Sequence, residues 1–345
     1  MIRSGFLLLI VPLLYASVAA AQQRPLETQD PDTIGAGQVL VEAGLSHARD
    51  VFYPLSGLRG NLWQLPVIGL NVGLSPIADL QITGGPYDLL SITGRSNAPL
   101  ASLVTATGAS THAVDDLAIG AKILLLPEEA GRPGVGFRFS VRLPNAKHES
   151  GLGQDTTDFS ASLLAGKMVA SLRVVGNVGF TIMSEPLDPN KQNDALTYGL
   201  SLTRPAGHQV DLVADINGRA STRNGVAPIG TESRGAVTIG GRYTRGATRF
   251  DAAAFFGLTA IDPTIGVKIG VTYVFTGFSL PAGATGTAST NDVIRVGLTP
   301  QAVIRILGQP DFQDSLSMTF GDAHIYFTAG RVRSWSDPSH RLKTG

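Results

Sequence analysis

The stretch Lys268-Ile-Gly-Val-Thr-Tyr-Val-Phe275 decides how the rest of the chain is read. With Val267 before it, Ile269, Val271, Tyr273 and Phe275 fall on one face, and Lys268, Gly270 and Thr272 on the other. A period of two marks a strand with one apolar and one polar side. The same alternation recurs upstream, in Val39–Leu45, Ile68–Leu74, Leu80–Ile82, Leu117–Leu125, Val135–Leu143 and Phe159–Ala165. It continues in Leu172–Ile182, Leu196–Leu202, Val210–Ile216, Val237–Tyr243 and Phe250–Phe256. This predicts about twelve strands of the ~10-residue length that cross a membrane as a closed sheet.

The connections sharpen that expectation. Alternate ones are short: Ser75–Asp79, Pro127–Gly134, Val169-Ala170, Arg204–Gly207 and Arg245–Ala247. The others are long: His47–Asn61, Gly84–Asp115, Pro144–Thr157, Ser184–Asn193 and Ala220–Glu232. Only Thr259–Pro263 breaks the pattern. Short turns at one end and long loops at the other belong to an antiparallel transmembrane β-barrel, with both chain ends on the short-turn side. A secreted β-sandwich also satisfies the alternation of faces, but gives no reason for loop lengths to alternate.

The two architectures invert the meaning of each face. In a sandwich the apolar residues form the core. In a barrel they meet lipid, and the opposite face lines the lumen. That places Lys122, Arg138, Arg142, Arg173, Asp211, Asp215, Arg219, Arg234, Arg242, Asp251 and Lys268 inside, with apolar Leu124, Val175, Val213 and Phe255 among them. Basic groups outnumber acidic ones in that set, which favours anions. A slip of one residue would reverse every such assignment. Trp63, Tyr198, Tyr243 and Tyr273 are the aromatics expected in the interfacial girdles.

Composition agrees. Charged residues are 16% of the chain and glycines 41 of 345, against roughly 25% and about 7% in ordinary soluble domains. The net charge is zero, so no basic stripe points to nucleic acid. The absence of cysteine excludes disulfides, thiolate metal sites and an N-terminal lipid anchor. The first 21 residues read as a signal peptide: Arg3, then apolar Phe6–Tyr15, then Ala19-Ala20-Ala21, with cleavage before Gln22. Gln22–Gly37 is a polar lead-in with Pro25 and Pro31. A twelve-strand barrel is narrow, so this segment or the inward arginines are expected to restrict it.

Beyond Phe275 the character changes. Gly277–Asn291 reads as a flexible linker. Thr299 is the expected N-cap of a helix, Pro300 its first residue, and Gly308 and Pro310 its stop. Strands near Leu316–Phe320, His324–Thr328 and Arg331–Trp335 complete a small α+β domain over residues 292–337.

Three resemblances accompany these readings. Lys268, Gly270, Tyr273 and Phe275 resemble the closing-strand signal of bacterial outer-membrane barrels, which implies recognition by the barrel-assembly machinery. Gly297-Leu298-Thr299, Val303, Leu307-Gly308, Pro310, Tyr326-Phe327, Gly330 and Val332 resemble the SmpA/OmlA (BamE-like) domain. That resemblance implies a periplasmic module contacting an envelope protein or peptidoglycan. Residues 24–275, through Pro25–Pro31, Gly69–Asp79 and Arg142-Leu-Pro144, are similar to MetA-type (phenol degradation) transporters, which implies passage of small molecules, aromatic ones among the candidates.

Catalytic patterns are sparse. There is no Gly-x-Ser-x-Gly and no His-Glu-x-x-His. Ser110-Thr111-His112 could supply a nucleophile and base, and Asp155 with Asp158 a cation site. Surface loop residues explain both as well. The expectation is an outer-membrane conduit for small solutes that is not an enzyme and carries no cofactor. Its alternative is a non-conducting envelope scaffold.

Overall fold

The computed structural model describes residues 24–129, 131–207, 209–278, 293–308, 310, 312–313, 317–320, 323–328, 331–337 and 342. The cleavage residues Ala19 and Ala21, most of the linker and Gly330 lie outside the described residues.

The chain opens its wall with β1 (Gln38–Tyr53), β2 (Leu58–Ser75) and β3 (Ala78–Gly84), and β4 (Asp88–Arg95) and β5 (Ser110–Ala113) follow. Next come β6 (Leu117–Leu126), β7 (Gly134–Leu143), β8 (Asp158–Val169), β9 (Leu172–Glu185) and β10 (Asp188–Pro205). The sheet ends with β11 (Val210–Ser221), β12 (Arg234–Arg245), β13 (Thr248–Gly257) and β14 (Ile265–Thr276). All neighbours are antiparallel, and β1 pairs with both β2 and β14, closing a ring of twelve strands. β4 and β5 stand outside the ring, added to the far half of β2 at Leu58–Gln64. Closure removes every free sheet edge, the condition for a sheet to sit in hydrocarbon.

The side chains sort as the period of two requires. Phe139, Phe159, Val178, Phe180, Leu212, Ile239, Phe250, Val267 and Ile269 are exposed on the outer wall. Leu124, Leu164, Val175, Val213, Lys122, Asp215 and Asp251 are buried inside. Large aliphatic and aromatic groups in the open over a whole wall suit a lipid solvent.

Strand length differs from expectation at one end of the ring. His47–Asn61 and Ser184–Asn193 are not open loops: β1–β2 and β9–β10 run on as hairpins beyond the ring, with register shifts at Gly44/Ser46, Ala48/Val51 and Asp188/Gln192. No lipid meets the outer face of these extensions, so their sequences lose the regular alternation that marks the membrane-spanning part. The same extension places Tyr198 in the middle of β10, not at a strand end. The Gly84–Asp115 segment packs onto the first hairpin through Leu58, Leu62, Leu90, Ile92 and Val104.

The C-terminal residues form one helix, α1 (Pro300–Leu307), and a four-stranded sheet of β15 (Phe312–Gln313), β16 (Ser317–Phe320), β17 (Ala323–Thr328) and β18 (Arg331–Ser336). β15 is a strand beyond the three expected. Thr299 Oγ1 accepts the Ala302 N–H at 3.2 Å, and Gly308 ends the helix at φ 83°. Ile294, Val303, Met318, Ile325, Phe327 and Val332 make the core, with Leu307 packed against it.

Candidate functional site

The lumen is not empty. From β1 the chain runs backwards along the interior: Ile34 packs with Leu40 and Val274, and residues 24–33 cross the barrel. Inward polar residues of the wall hold this segment strand by strand.

Lys122 on β6 has no exposed surface. Its ammonium donates to the Asp30 carbonyl at 3.1 Å and to the Asp32 carbonyl, and lies 3.6 Å from the Asp79 carboxylate. Asp79 in turn accepts the Ile34 N–H at 3.1 Å. Arg173 on β9 forks onto Asp30, donating at 2.9 and 2.6 Å, and reaches Asp32 at 3.3 Å and Glu128. Asn177 makes a two-way amide pair with the Gln29 backbone, accepting at 2.7 Å and donating at 2.8 Å. Asp215 on β11 accepts the Glu27 N–H at 2.8 Å, the Thr28 N–H at 3.2 Å and the Thr28 hydroxyl at 2.5 Å. Lys268 on β14 is ion-paired with Glu27. Arg242 donates to the Arg24 carbonyl at 2.8 Å, and Asp251 faces the Arg24 guanidinium at 3.5 Å.

Seven of the expected lining residues (Lys122, Arg173, Asp215, Arg242, Asp251, Lys268 and, through Gln81, Arg138) therefore belong to the cradle of this segment. Arg138 donates to Gln81 Oε1 at 2.7 Å, and Gln81 Nε2 donates to Gln29 Oε1 at 3.2 Å. Buried charges must be paired and hydrogen-bonded to be tolerated. Sequence alone supplies one half of each pair as a regular inward series. The other half sits in a polar lead-in without periodicity.

Gly270 gains a second reason here. A Cβ at Gly270 would lie 2.5 Å from Arg24 Nε, and one at the opposite Gly44 only 2.2 Å from Arg24 Nη2. The pair forms a window against which the guanidinium lies.

Leu26 and Thr28 of the crossing segment border two cavities. The outer one, about 670 Å³, reaches Arg138, Arg219, Arg234, Asp115 and Asp262 on the long-loop side. The inner one, about 240 Å³, is lined by Arg173, Asp211, Arg242 and Arg249 on the short-turn side. Arg142 stands apart at the outer rim, bound to Asp158 and Asp116.

The remaining candidates do not assemble into chemistry. Asp155 holds Lys147 at 2.8 Å and pairs with His148, while Asp158 is committed to Arg142, so the two aspartates share no site. Among the described residues, His148, Glu149 and Asp155 converge within 4.8 Å on the long-loop side. Ser110 and His112 lie on β5, with the imidazole stacked on Tyr87 at 5.6 Å.

At the short-turn end, Glu128 collects four contacts. It accepts the Met168 N–H at 3.0 Å, lies 3.9 Å from Lys167, and pairs with Arg173 and with Arg331 of β18. One carboxylate thus links the C-terminal module to the arginine that grips Asp30 and Asp32.

Solved structures similar to this chain are bacterial outer-membrane barrels. The translocator domain of the autotransporter NalP from Neisseria meningitidis shares 14% identity over 69% of this chain and 88% of its own, at a TM-score of 0.43. The NanC porin shares 6% over 68% and 98%, at 0.42. The toluene transporter TodX from Pseudomonas putida shares 11% over 70% and 89%, at 0.30. No family model and no curated protein matches the chain. Neither the MetA-type nor the SmpA/OmlA resemblance finds support in these comparisons.

Proposed function

We propose that this protein is a bacterial outer-membrane conduit for small solutes whose lumen is held shut by its own N-terminal segment. The closed ring and its apolar exterior support membrane insertion, with the short turns and both ends of the barrel domain in the periplasm. The observation that carries the proposal is the course of residues 24–34 between two solvent-sized cavities, with Leu26 and Thr28 bordering both. Passage then requires this segment to shift toward one mouth. Cleavage before Gln22 would leave it as a free chain end, able to withdraw without unthreading a loop. Solute chemistry follows from the arginines of the outer cavity and favours anions. The C-terminal module, tied to the barrel by Arg331 and Glu128, is a periplasmic contact surface in this scheme. The chain acts as a conduit and not as a catalyst.

The test is planar-bilayer conductance of the purified protein with and without residues 22–34. The full chain should show brief, infrequent openings and the shortened one should conduct steadily. A shortened barrel that is folded yet silent would leave the scaffold reading. Density of bonding favours that reading, since seven of the eleven expected lining charges belong to the cradle of the segment. A scaffold should lose a periplasmic partner on truncation after Gly277, with no change in conductance.

A further inference from the structure

One series of inward residues makes no direct hydrogen bond to the crossing segment, and only Arg138 reaches it at second hand, through Gln81. Cross-strand pairing places Arg138, Ser162, Gly179, Thr197, Arg219 and Arg234 opposite one another in turn, from β7 to β12. The strands of a closed barrel are tilted, so such a row climbs the wall as it goes round. All of these but Gly179 border the outer cavity. The row is a strip of hydrogen-bond donors, two hydroxyls between guanidinium groups.

The arginines at its ends differ from their neighbours in what they bind. Arg24, Arg142, Arg173 and Arg249 each face a carboxylate within ion-pairing distance. Arg138 donates instead to neutral Gln81 and Ser140, and Arg219 to the carbonyls of Glu232 at 3.0 Å and Gly230 at 3.3 Å. Arg234 donates to the Ile261 carbonyl and stands 3.8 Å from Asp262. The bonds from Gly235 N–H, Thr259 N–H and the Thr259 hydroxyl all fall on Asp262 Oδ2, so Arg234 shares Oδ1 at long range, and Arg138 and Arg219 are the guanidinium groups of the strip without a carboxylate among these bonds. Arg219 and Arg234 are direct cross-strand partners, and like charges so placed repel. Other acids of this cavity are engaged elsewhere: Glu27 with Lys268, Glu42 with Arg249 and Asp116 with Arg142. Asp115 lies half the ring away, before β6. Leu26, Leu164 and Phe255 add apolar lining to the same cavity.

We propose that this strip is a binding site for a small organic monocarboxylate, its head between Arg219 and Arg234 and its apolar body toward Leu164 and Phe255. The assignment rests on the reading of the lumen as a solute path, but its test needs no passage. The full-length protein in detergent micelles is titrated calorimetrically with valerate, pentan-1-ol and inorganic phosphate. Valerate should bind saturably, pentan-1-ol and phosphate at least tenfold more weakly. Arg219→Gln should weaken valerate about tenfold or more, as loss of a charge-assisted bond implies. Arg59→Gln, whose guanidinium pairs with Asp50 outside this cavity, should leave it unchanged. Should Arg219→Gln not fold, Arg234→Gln on the neighbouring strand carries the same expectation. Absent valerate binding, equal binding of the alcohol or of phosphate, or indifference to the arginine changes would overturn the assignment. A barrel silent in bilayers that still binds valerate fails the passage reading and keeps this one.

Discussion

Lys122 and Asp79 are direct cross-strand partners on β6 and β3, both side chains are fully buried, and their charges lie 3.6 Å apart. Either charge alone would be uncompensated there. The pair is stable because the backbone of the crossing segment supplies the remaining acceptors and the donor, at Asp30, Asp32 and Ile34. Wall and segment thus complete one another's hydrogen bonding.

Removing one partner should therefore act on both. Lys122→Met leaves a buried carboxylate uncompensated, and such losses run to about 3–5 kcal/mol. Urea titration of the folded, heat-modifiable form should show a lower midpoint. The double change Lys122→Met with Asp79→Leu should recover much of it. A single variant as stable as the parent would contradict the burial of the pair.

The outer wall makes a separate prediction. Ile239 is exposed in the middle of β12, so arginine there should cost about 2–4 kcal/mol at the bilayer midplane. Val226 is 94% exposed in a long loop, where the same replacement should cost nothing measurable. Folded yields in liposomes compare the two. Equal yields would mean that Ile239 does not face lipid.

Gly270 separates two explanations of one residue. If its role is the window for Arg24, Gly270→Ala should assemble normally and conduct more often, because a Cβ 2.5 Å from Nε pushes the guanidinium aside. Collapse of folded yield, with any folded remainder silent, would assign the glycine to assembly instead.

Acidity enters at the long-loop rim. Asp88 on β4 is raised to about 7 by burial and by the nearby Asp115 carboxylate. A raised carboxyl stabilises the packed loop fully below its ordinary range near 3.8, and that contribution is lost as pH rises through about 7. Hydrogen exchange over residues 85–115, corrected for the intrinsic pH dependence, should therefore quicken as pH rises from about 4 to about 7 and level off above that, the window between the ordinary and the raised value. Asp88→Asn should flatten the change.

These relationships differ in how far the sequence discloses them. Alternation over Phe250–Phe256 or Val237–Tyr243 can be read directly, because lipid on one side and lumen on the other impose a period of two. The hairpin extensions at Asp50 and Lys191 lose it where no lipid meets the outer face. Arg24–Ile34 shows no period, since its partners come one by one from β3, β6, β9, β11, β12, β13 and β14. Only the surplus of inward charge, too costly to leave unpaired, hints that something fills the lumen. Thr299, Val303, Leu307 and Gly308 were legible as cap, core and stop because those roles are local.

The most direct test of a lumen held shut by its own N-terminal segment is a reversible tether. The chain has no cysteine, and a Cβ placed on Gly199 would lie 3.3 Å from the Thr28 Cβ, close to disulfide geometry. Single-channel recording of the Thr28→Cys/Gly199→Cys protein should show no openings when oxidised, and openings like those of the parent once reductant is added. Equal conductance in the two redox states would contradict the account.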